Sequence, residues 1–309
     1  MKTKVFEKEG LSFIEVTNNL GLKVVLCALG ASIYHIYDKD VCLTRNAARL
    51  EDFKGKRCYY GKTIGRTANR IKGNKIVVEG QQYILEDNEN GNVLHGGVSG
   101  LSTQVFTYFV EEGSDIVRVR FTYKSPHLES GYPGNLDVSV DYYVYKDINK
   151  IEVHYEATTD RKTLCSFTNH AFFTLGSSNI SELSLKMNSG YFLDVDDEKI
   201  AKGPKEVPTF MDFRSLKPLP KDGGIDHFFY IDDRSITLEN KKYRLKIDFD
   251  FEGAQIYTSN GPAKYELFPA CEKQFHSVAI EPSDSHLNLH FLEKGEKYQR
   301  TIVYNIERI

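Results

Sequence analysis

Apolar and polar residues alternate with period two along segment after segment of this chain. That repeat limits the fold more than any other feature, because successive strand side chains point to opposite faces of a sheet. It runs through residues 116–123, 136–143, 151–155, 243–249 and 301–304. Turn-forming clusters punctuate the chain: Thr17-Asn-Asn, Glu89-Asn-Gly-Asn92, Gly131-Tyr-Pro-Gly134, Asp222-Gly-Gly224 and Ser259-Asn-Gly-Pro262. Long helical patterns are absent, and residues 44–56 are assigned one short helix. With no Pro/Ser-rich linker and no fixed-period repeat, this density of strands predicts an all-β chain. The expected architecture is a large antiparallel two-sheet β-sandwich with residues 1–309 as a single domain.

At 309 residues the chain is long enough to bury a core without covalent staples. Its five cysteines, Cys27, Cys42, Cys58, Cys165 and Cys271, are odd in number and show no zinc-like or C-x-x-C spacing, which favours a reducing compartment. Forty basic against 43 acidic residues give a net charge of −3 with no basic block, which argues against a nucleic-acid partner. Neither a signal-peptide core nor a run of 18 apolar residues is present, so a soluble, cytoplasmic protein with no membrane partner is expected. The sequon Asn179-Ile-Ser has no meaning in that compartment.

Chemically capable residues gather in five short segments, the kind of loop in which a strand scaffold places function. Gly65-Arg-Thr-Ala-Asn-Arg-Ile71 carries two guanidinium groups and an amide. Asn92-Val-Leu-His-Gly-Gly97 sets His95 before two glycines, and Phe167-Thr-Asn-His-Ala-Phe-Phe173 sets His170 among aromatics. Asp226 follows a double glycine, and Glu281 ends the apolar run Val278-Ala-Ile. Taken singly, each is more often a hydrogen-bonded core residue or a turn than a functional group. Together they are a general acid–base set: histidine titrates near pH 7 unaided, and burial can raise a carboxylate toward that range.

The order of these and neighbouring segments resembles the aldose 1-epimerase (galactose mutarotase) family. The similarity rests on Val16-Thr-Asn-Asn-Leu-Gly, Leu29-Gly-Ala, Tyr60-Gly-Lys-Thr-Ile-Gly-Arg-Thr-Ala-Asn-Arg-Ile71, Leu94-His-Gly-Gly97 and Gly131-Tyr-Pro-Gly-Asn-Leu136. It continues through Asn169-His-Ala-Phe-Phe173, Asp212-Phe-Arg214, Gly224-Ile-Asp-His227, Gln255-Ile-Tyr-Thr-Ser-Asn260 and Ile280-Glu-Pro282. The resemblance implies an isomerase that interconverts the α and β anomers of a free aldohexose such as galactose or glucose, bound in an open cleft. Glu281 is similar to the family's general base, His170 to its general acid and His95 to its second site histidine. Asn69, Arg70, Asp226 and Gln255 resemble the residues that hold sugar hydroxyls. The implied partner is a small-molecule sugar, with no cofactor, no metal, and a monomer or homodimer as the assembly.

Two departures bear on specificity. Gly100-Leu101 and Phe106 stand where the family has an aromatic step and then a Trp, and the chain has no Trp, so the stacking platform is altered. Pro-Ser-Asp-Ser-His after Glu281 also differs from the family's Gln-x-x-Pro-Asp. Three rival readings are a carbohydrate-binding protein without turnover, a hexose-6-phosphate 1-epimerase using Arg66 and Arg70, and a glycosidase using Asp226 and Glu281. His286-Leu-Asn-Leu-His290 alternates as a strand, which would set its histidines about 13 Å apart, too far to share a metal.

Overall fold

The computed structural model describes residues 1–220, 222–261 and 274–309. All five alternating segments are strands in it: Ile116–Ser125, Leu136–Tyr145, Lys150–Thr159, Tyr243–Phe249 and Lys297–Arg308. They lie together in a nine-stranded sheet that Thr107–Glu112 opens and Ser235–Glu239, Ser184–Met187 and Lys217–Pro218 complete. A seven-stranded sheet runs in the order Ala201–Glu206, Tyr191–Val195, Asp226–Tyr230, Gly253–Tyr257, Val278–Ser283, Phe172–Phe173 and Thr44–Arg45. Five N-terminal strands form a third, consecutive sheet ending at Val41–Cys42. The strand pairs within these sheets are antiparallel.

One hydrophobic core joins the sheets. Val119 and Phe121 reach it from the nine-stranded sheet, Ile256 and Ile280 from the seven-stranded one, and Val24 and Ile36 from the N-terminal one. Phe173 and Tyr304 meet across it with ring centroids 5.7 Å apart, which ties the two larger sheets face to face as a β-sandwich. Alternation then decides what the seven-stranded sheet shows on its other side. Phe229, Ile256, Ile280 and Phe173 point into the core. Their neighbours Phe228, Gln255, Glu281 and Phe172 therefore face outward, where Gln255 stands opposite both Phe228 and Glu281.

Two expectations need correcting. The segment 44–56 gives one helical turn, Leu50–Phe53, because its first residues, Thr44–Arg45, are recruited as the edge strand beside Phe172–Phe173. The stretch from His286 is a turn rather than a strand: its apolar residues Leu287 and Leu289 are exposed, so the alternation there has no core to face. Leu101 and Phe106 are buried in the main core, so they offer no stacking platform to a ligand. Cys27, Cys42 and Cys165 are free thiols, whereas Cys271 and Pro262 lie outside the described residues. Among the described residues no helix is long and apolar enough to cross a membrane.

Candidate active site

The outward face of the seven-stranded sheet forms one wall of a cavity of about 380 Å³, and all seven residues singled out from the sequence line it. Asp226, Gln255 and Glu281 come from three adjacent strands of that sheet, where Gln255 and Glu281 are directly opposed. The Gln255 amide donates to Asp226 Oδ1 at 2.8 Å, which holds the two side chains together. The opposite wall is a small ribbon in which Arg70 pairs with Leu94. His95 follows at once and is wedged against Asn69: its N–H donates to the Asn69 carbonyl at 3.0 Å, and the Asn69 N–H donates to His95 Nδ1 at 3.3 Å. Both residues have left-handed backbones, φ 58° and 52°, a conformation that non-glycine residues adopt at a cost and that clusters at functional sites. Gly96 makes the turn possible, since a Cβ there would lie 1.9 Å from the Gly65 carbonyl oxygen.

His170 sits between Thr168–Asn169 and Phe172–Phe173, and its N–H is held by the Lys62 carbonyl at 3.0 Å. Its ring is sandwiched by Tyr59 and Phe172, with centroids 5.7 and 4.8 Å away and near-parallel planes, and meets His95 edge to face at 5.2 Å. The imidazole Nε2 is 3.3 Å from Glu281 Oε1. Glu281 is 1% exposed and His170 6%. Several polar atoms around them are buried with no hydrogen-bond partner among the described residues: Glu281 Oε2, His170 Nδ1, Asn69 Nδ2 and Gln255 Oε1. Buried polar groups are normally satisfied, so this set of donors and acceptors is arranged for a polar ligand rather than for the fold.

Burial dominates the electrostatics. It raises the Glu281 carboxyl well above its ordinary range, with Asp226 adding to the rise and Arg70 opposing it. It pushes His170 down to about 4 and His95 well below 6.5. The expectation that His170 titrates near pH 7 unaided is thus corrected: ring and carboxyl lose water together, and both favour their neutral forms. The two face each other across a 3.3 Å gap, so the protonation of one bears on that of the other. His95 is neutral as well, and because Nδ1 accepts from a backbone amide, its proton is on Nε2.

One ligand-capable atom each from His95, His170 and Glu281 lies within 4.8 Å of the others, a spacing that suits a divalent ion. The His95 tautomer opposes one, because Nε2 carries a proton where a metal needs a lone pair. Arg70 departs from expectation in its fork. Its Nε and Nη2 are engaged by Glu89 at 2.5 and 3.1 Å, so two of its three nitrogens are held by protein before any ligand arrives. Arg66 is not in the cavity. The residue is 2% exposed and its guanidinium is bonded to Ser125, Pro126, Pro133, Gly134 and Thr163, a structural staple for those loops. Sequence reasoning missed Glu89, read as part of a turn, and Tyr59, which adjoins the Tyr60 motif. It also missed Lys199, whose Nζ is 3.6 Å from Asp226 Oδ2. An acidic residue at the mouth of an Asn-Gly turn, 19 residues from an arginine, was the available signal for Glu89.

A family model described as Aldose 1-epimerase matches residues 12–305. The aldose 1-epimerase of Haemophilus influenzae is 29% identical over 233 residues, 69% of this chain and 67% of its own length. The galactose mutarotase of Pongo abelii is 36% identical over 194 residues, 59% of this chain, and the match spans only about half, 55%, of that relative. Among solved structures, a galactose 1-epimerase from Lactobacillus acidophilus superposes with a TM-score of 0.91 at 25% identity, covering 99% of both chains.

Proposed function

The chain belongs to the aldose 1-epimerase family, and we propose that it interconverts the anomers of a free aldohexose such as galactose or glucose, with residues 1–309 acting as one unit in the cytoplasm. The observation that carries this reading is the buried contact of His170 Nε2 with Glu281 Oε1 at 3.3 Å, beside unpartnered Glu281 Oε2 and His170 Nδ1. Anomer interconversion removes a proton from the C1 hydroxyl and delivers one to the ring oxygen, two atoms of a single acetal-like unit. It therefore needs a base and an acid close together that hold one proton between them. Free, the pair favours the neutral arrangement, with the proton on the carboxyl. Sugar hydroxyls entering the site supply hydrogen bonds that stabilise the charged arrangement, carboxylate and imidazolium.

Glu281 then accepts the C1 hydroxyl proton while His170 protonates the ring oxygen, and the C1–O5 bond breaks to give the open aldehyde. Rotation about C1–C2 presents the other carbonyl face, and closure reverses both transfers. His95 Nε2–H donates to the oxygen on which charge develops. Asn69, Arg70, Asp226 and Gln255 hold the remaining hydroxyls. The burial of Arg66 removes half of the arginine pair that a phosphosugar reading needs. Polarimetry on freshly dissolved α-D-galactose and α-D-glucose tests the proposal. The protein is expected to accelerate the approach to equilibrium rotation for at least one of them and to show no preference for glucose 6-phosphate. Binding without acceleration would make it a carbohydrate-binding module.

A further inference from the structure

Two aromatic rings flank His170 and have no part in the reaction just described. Phe172 lies in the seven-stranded sheet, paired with Ala279 on one side and Arg45 on the other, and is 4% exposed. Its ring is fixed by Tyr60, with centroids 4.5 Å apart, and by Tyr257 at 6.2 Å. Tyr59 is held through its carbonyl, which accepts the Lys62 N–H at 3.0 Å, and its ring meets His95 edge to face at 4.7 Å. Both residues line the cavity. Each is thus anchored by neighbours other than His170, and each turns a near-parallel face to that imidazole, at 22° for Phe172 and 19° for Tyr59. The faces so covered are closed to a sugar ring, which separates them from a stacking platform.

An aromatic face is the negative side of a quadrupole and attracts a cation within about 6 Å of the ring centroid. At 4.8 and 5.7 Å, both rings lie in that range of His170. The attraction grows where water is excluded, and His170 is 6% exposed. In the resting protein burial keeps this imidazole neutral, with its pKa lowered to about 4. In the reaction the proton passes from the Glu281 carboxyl to His170 Nε2, leaving a carboxylate and an imidazolium, so the ring is charged only in passing. The titratable groups that face it are Glu281 at 3.3 Å, His95 at 5.2 Å and Tyr59, with Asp226 adding a favourable negative charge. His95 is neutral, and burial pushes the Tyr59 phenol up to about 12, so it keeps its proton. The two π faces therefore favour the imidazolium over the neutral ring, and they do so only while the charge exists.

We infer that Phe172 and Tyr59 are positioning residues that act through His170, their π faces stabilising the imidazolium formed as the sugar ring opens. The inference rests on the mutarotase reading above and deepens it by naming what supports the charged acid. An interaction made only with the charged state lowers the barrier without tightening sugar binding, so it belongs to kcat rather than KM.

Fluorinated phenylalanines at position 172 test this, because they drain charge from the ring face with little change in shape. Wild type and proteins carrying one, three or five ring fluorines are compared by polarimetry on galactose and glucose. In parallel the His170 ring is titrated by NMR in protein labelled at histidine, its signal being the one absent from His170→Asn. kcat is expected to fall stepwise with fluorination, by about tenfold over the series, with KM little changed. The His170 pKa is expected to fall in the same order. Phe172→Leu removes the face and should lose as much as the most fluorinated protein, and Phe172→Tyr should restore most of that loss. Tyr59→Leu should lose less than Phe172→Leu, since its ring is 5.7 rather than 4.8 Å away. A kcat that does not follow fluorination, or a loss confined to KM, overturns the inference. Where a variant at 172 does not fold, the same fluorinated series at position 59 carries the comparison. If wild type turns over no sugar, the mutarotase reading fails by itself. The His170 titrations then decide the role of the rings, and a pKa indifferent to fluorination overturns it.

Discussion

Replacing Glu281 with glutamine removes the proposed base while keeping its size and one carbonyl oxygen. The residue is 1% exposed and its Oε1 faces His170 Nε2, so the amide fits the same space with no new cavity. Loss of a positioned base typically costs a factor of about 10² to 10⁴, so kcat is expected to fall by that range, or about 3 to 5 kcal/mol in barrier. KM should change little, because the residues proposed to hold the hydroxyls are untouched. Stability should move the other way. The Glu281 pKa is raised in the fold above its ordinary 4.5, so the native state holds a proton that the unfolded chain gives up. The stability this contributes is fully present below pH 4.5 and is lost as pH rises toward the folded pKa. Glutamine does not titrate. The variant should therefore gain on wild type in thermal unfolding as pH goes from 4 to 8, while polarimetric initial rates collapse. A folded Glu281→Gln protein that turns over every aldose tried at near wild-type rate would refute the base assignment. A variant that loses ground to wild type with rising pH would refute the buried-acid account.

The other predictions follow from the same geometry. His170, lowered to about 4 from 6.5, resists protonation in the fold, so its contribution to wild-type stability falls as pH drops from 6.5 to 4, opposite in sign to that of Glu281. His170→Asn should flatten that loss in an unfolding series and lower kcat by about 10² or more in the polarimeter. Arg70→Lys keeps the charge but cannot reproduce the two bonds to Glu89, so kcat/KM should drop by roughly tenfold or more, and Glu89→Gln should cause a related loss. Gly96→Ala places a Cβ 1.9 Å from the Gly65 carbonyl oxygen at φ +87°, and calorimetric unfolding should show destabilisation of about 3 kcal/mol or more. EDTA should leave the rate unchanged, since the His95 tautomer offers a proton and no lone pair to an ion. Inactivation reversed by a divalent metal would contradict this.

The nine-stranded sheet was legible because its strands have one buried and one solvated face, which writes a period-two pattern into residues such as Tyr243–Phe249. The same pattern misled at His286, where Leu287 and Leu289 alternate but lie in an exposed turn. Phe172–Phe173 and Val278–Ser283 are short and buried on both faces, so neither carries a period, yet they hold the site. Of the candidate site, seven of the residues that line the cavity were legible as chemistry, most of them in glycine- or asparagine-rich segments. Their electrostatics were not. That His170 is clamped between Tyr59 and Phe172, and so loses its water, depends on contacts between residues 59, 170 and 172 that no local pattern encodes. The pairing of Arg70 with Glu89 is likewise a product of the ribbon that brings Leu94 opposite Arg70. Arg66, in the same short segment as Arg70, turns the other way into a nest of carbonyls.

The central claim is that Glu281 and His170 open and close the sugar ring without touching a C–H bond. NMR exchange spectroscopy on equilibrated galactose or glucose in D₂O, with catalytic amounts of protein, tests it most directly. Cross-peaks between the α and β anomeric protons should grow with protein concentration, vanish with Glu281→Gln, and leave the C2 proton unexchanged with solvent. Anomeric exchange no faster than in buffer, or deuterium appearing at C2, would contradict the account.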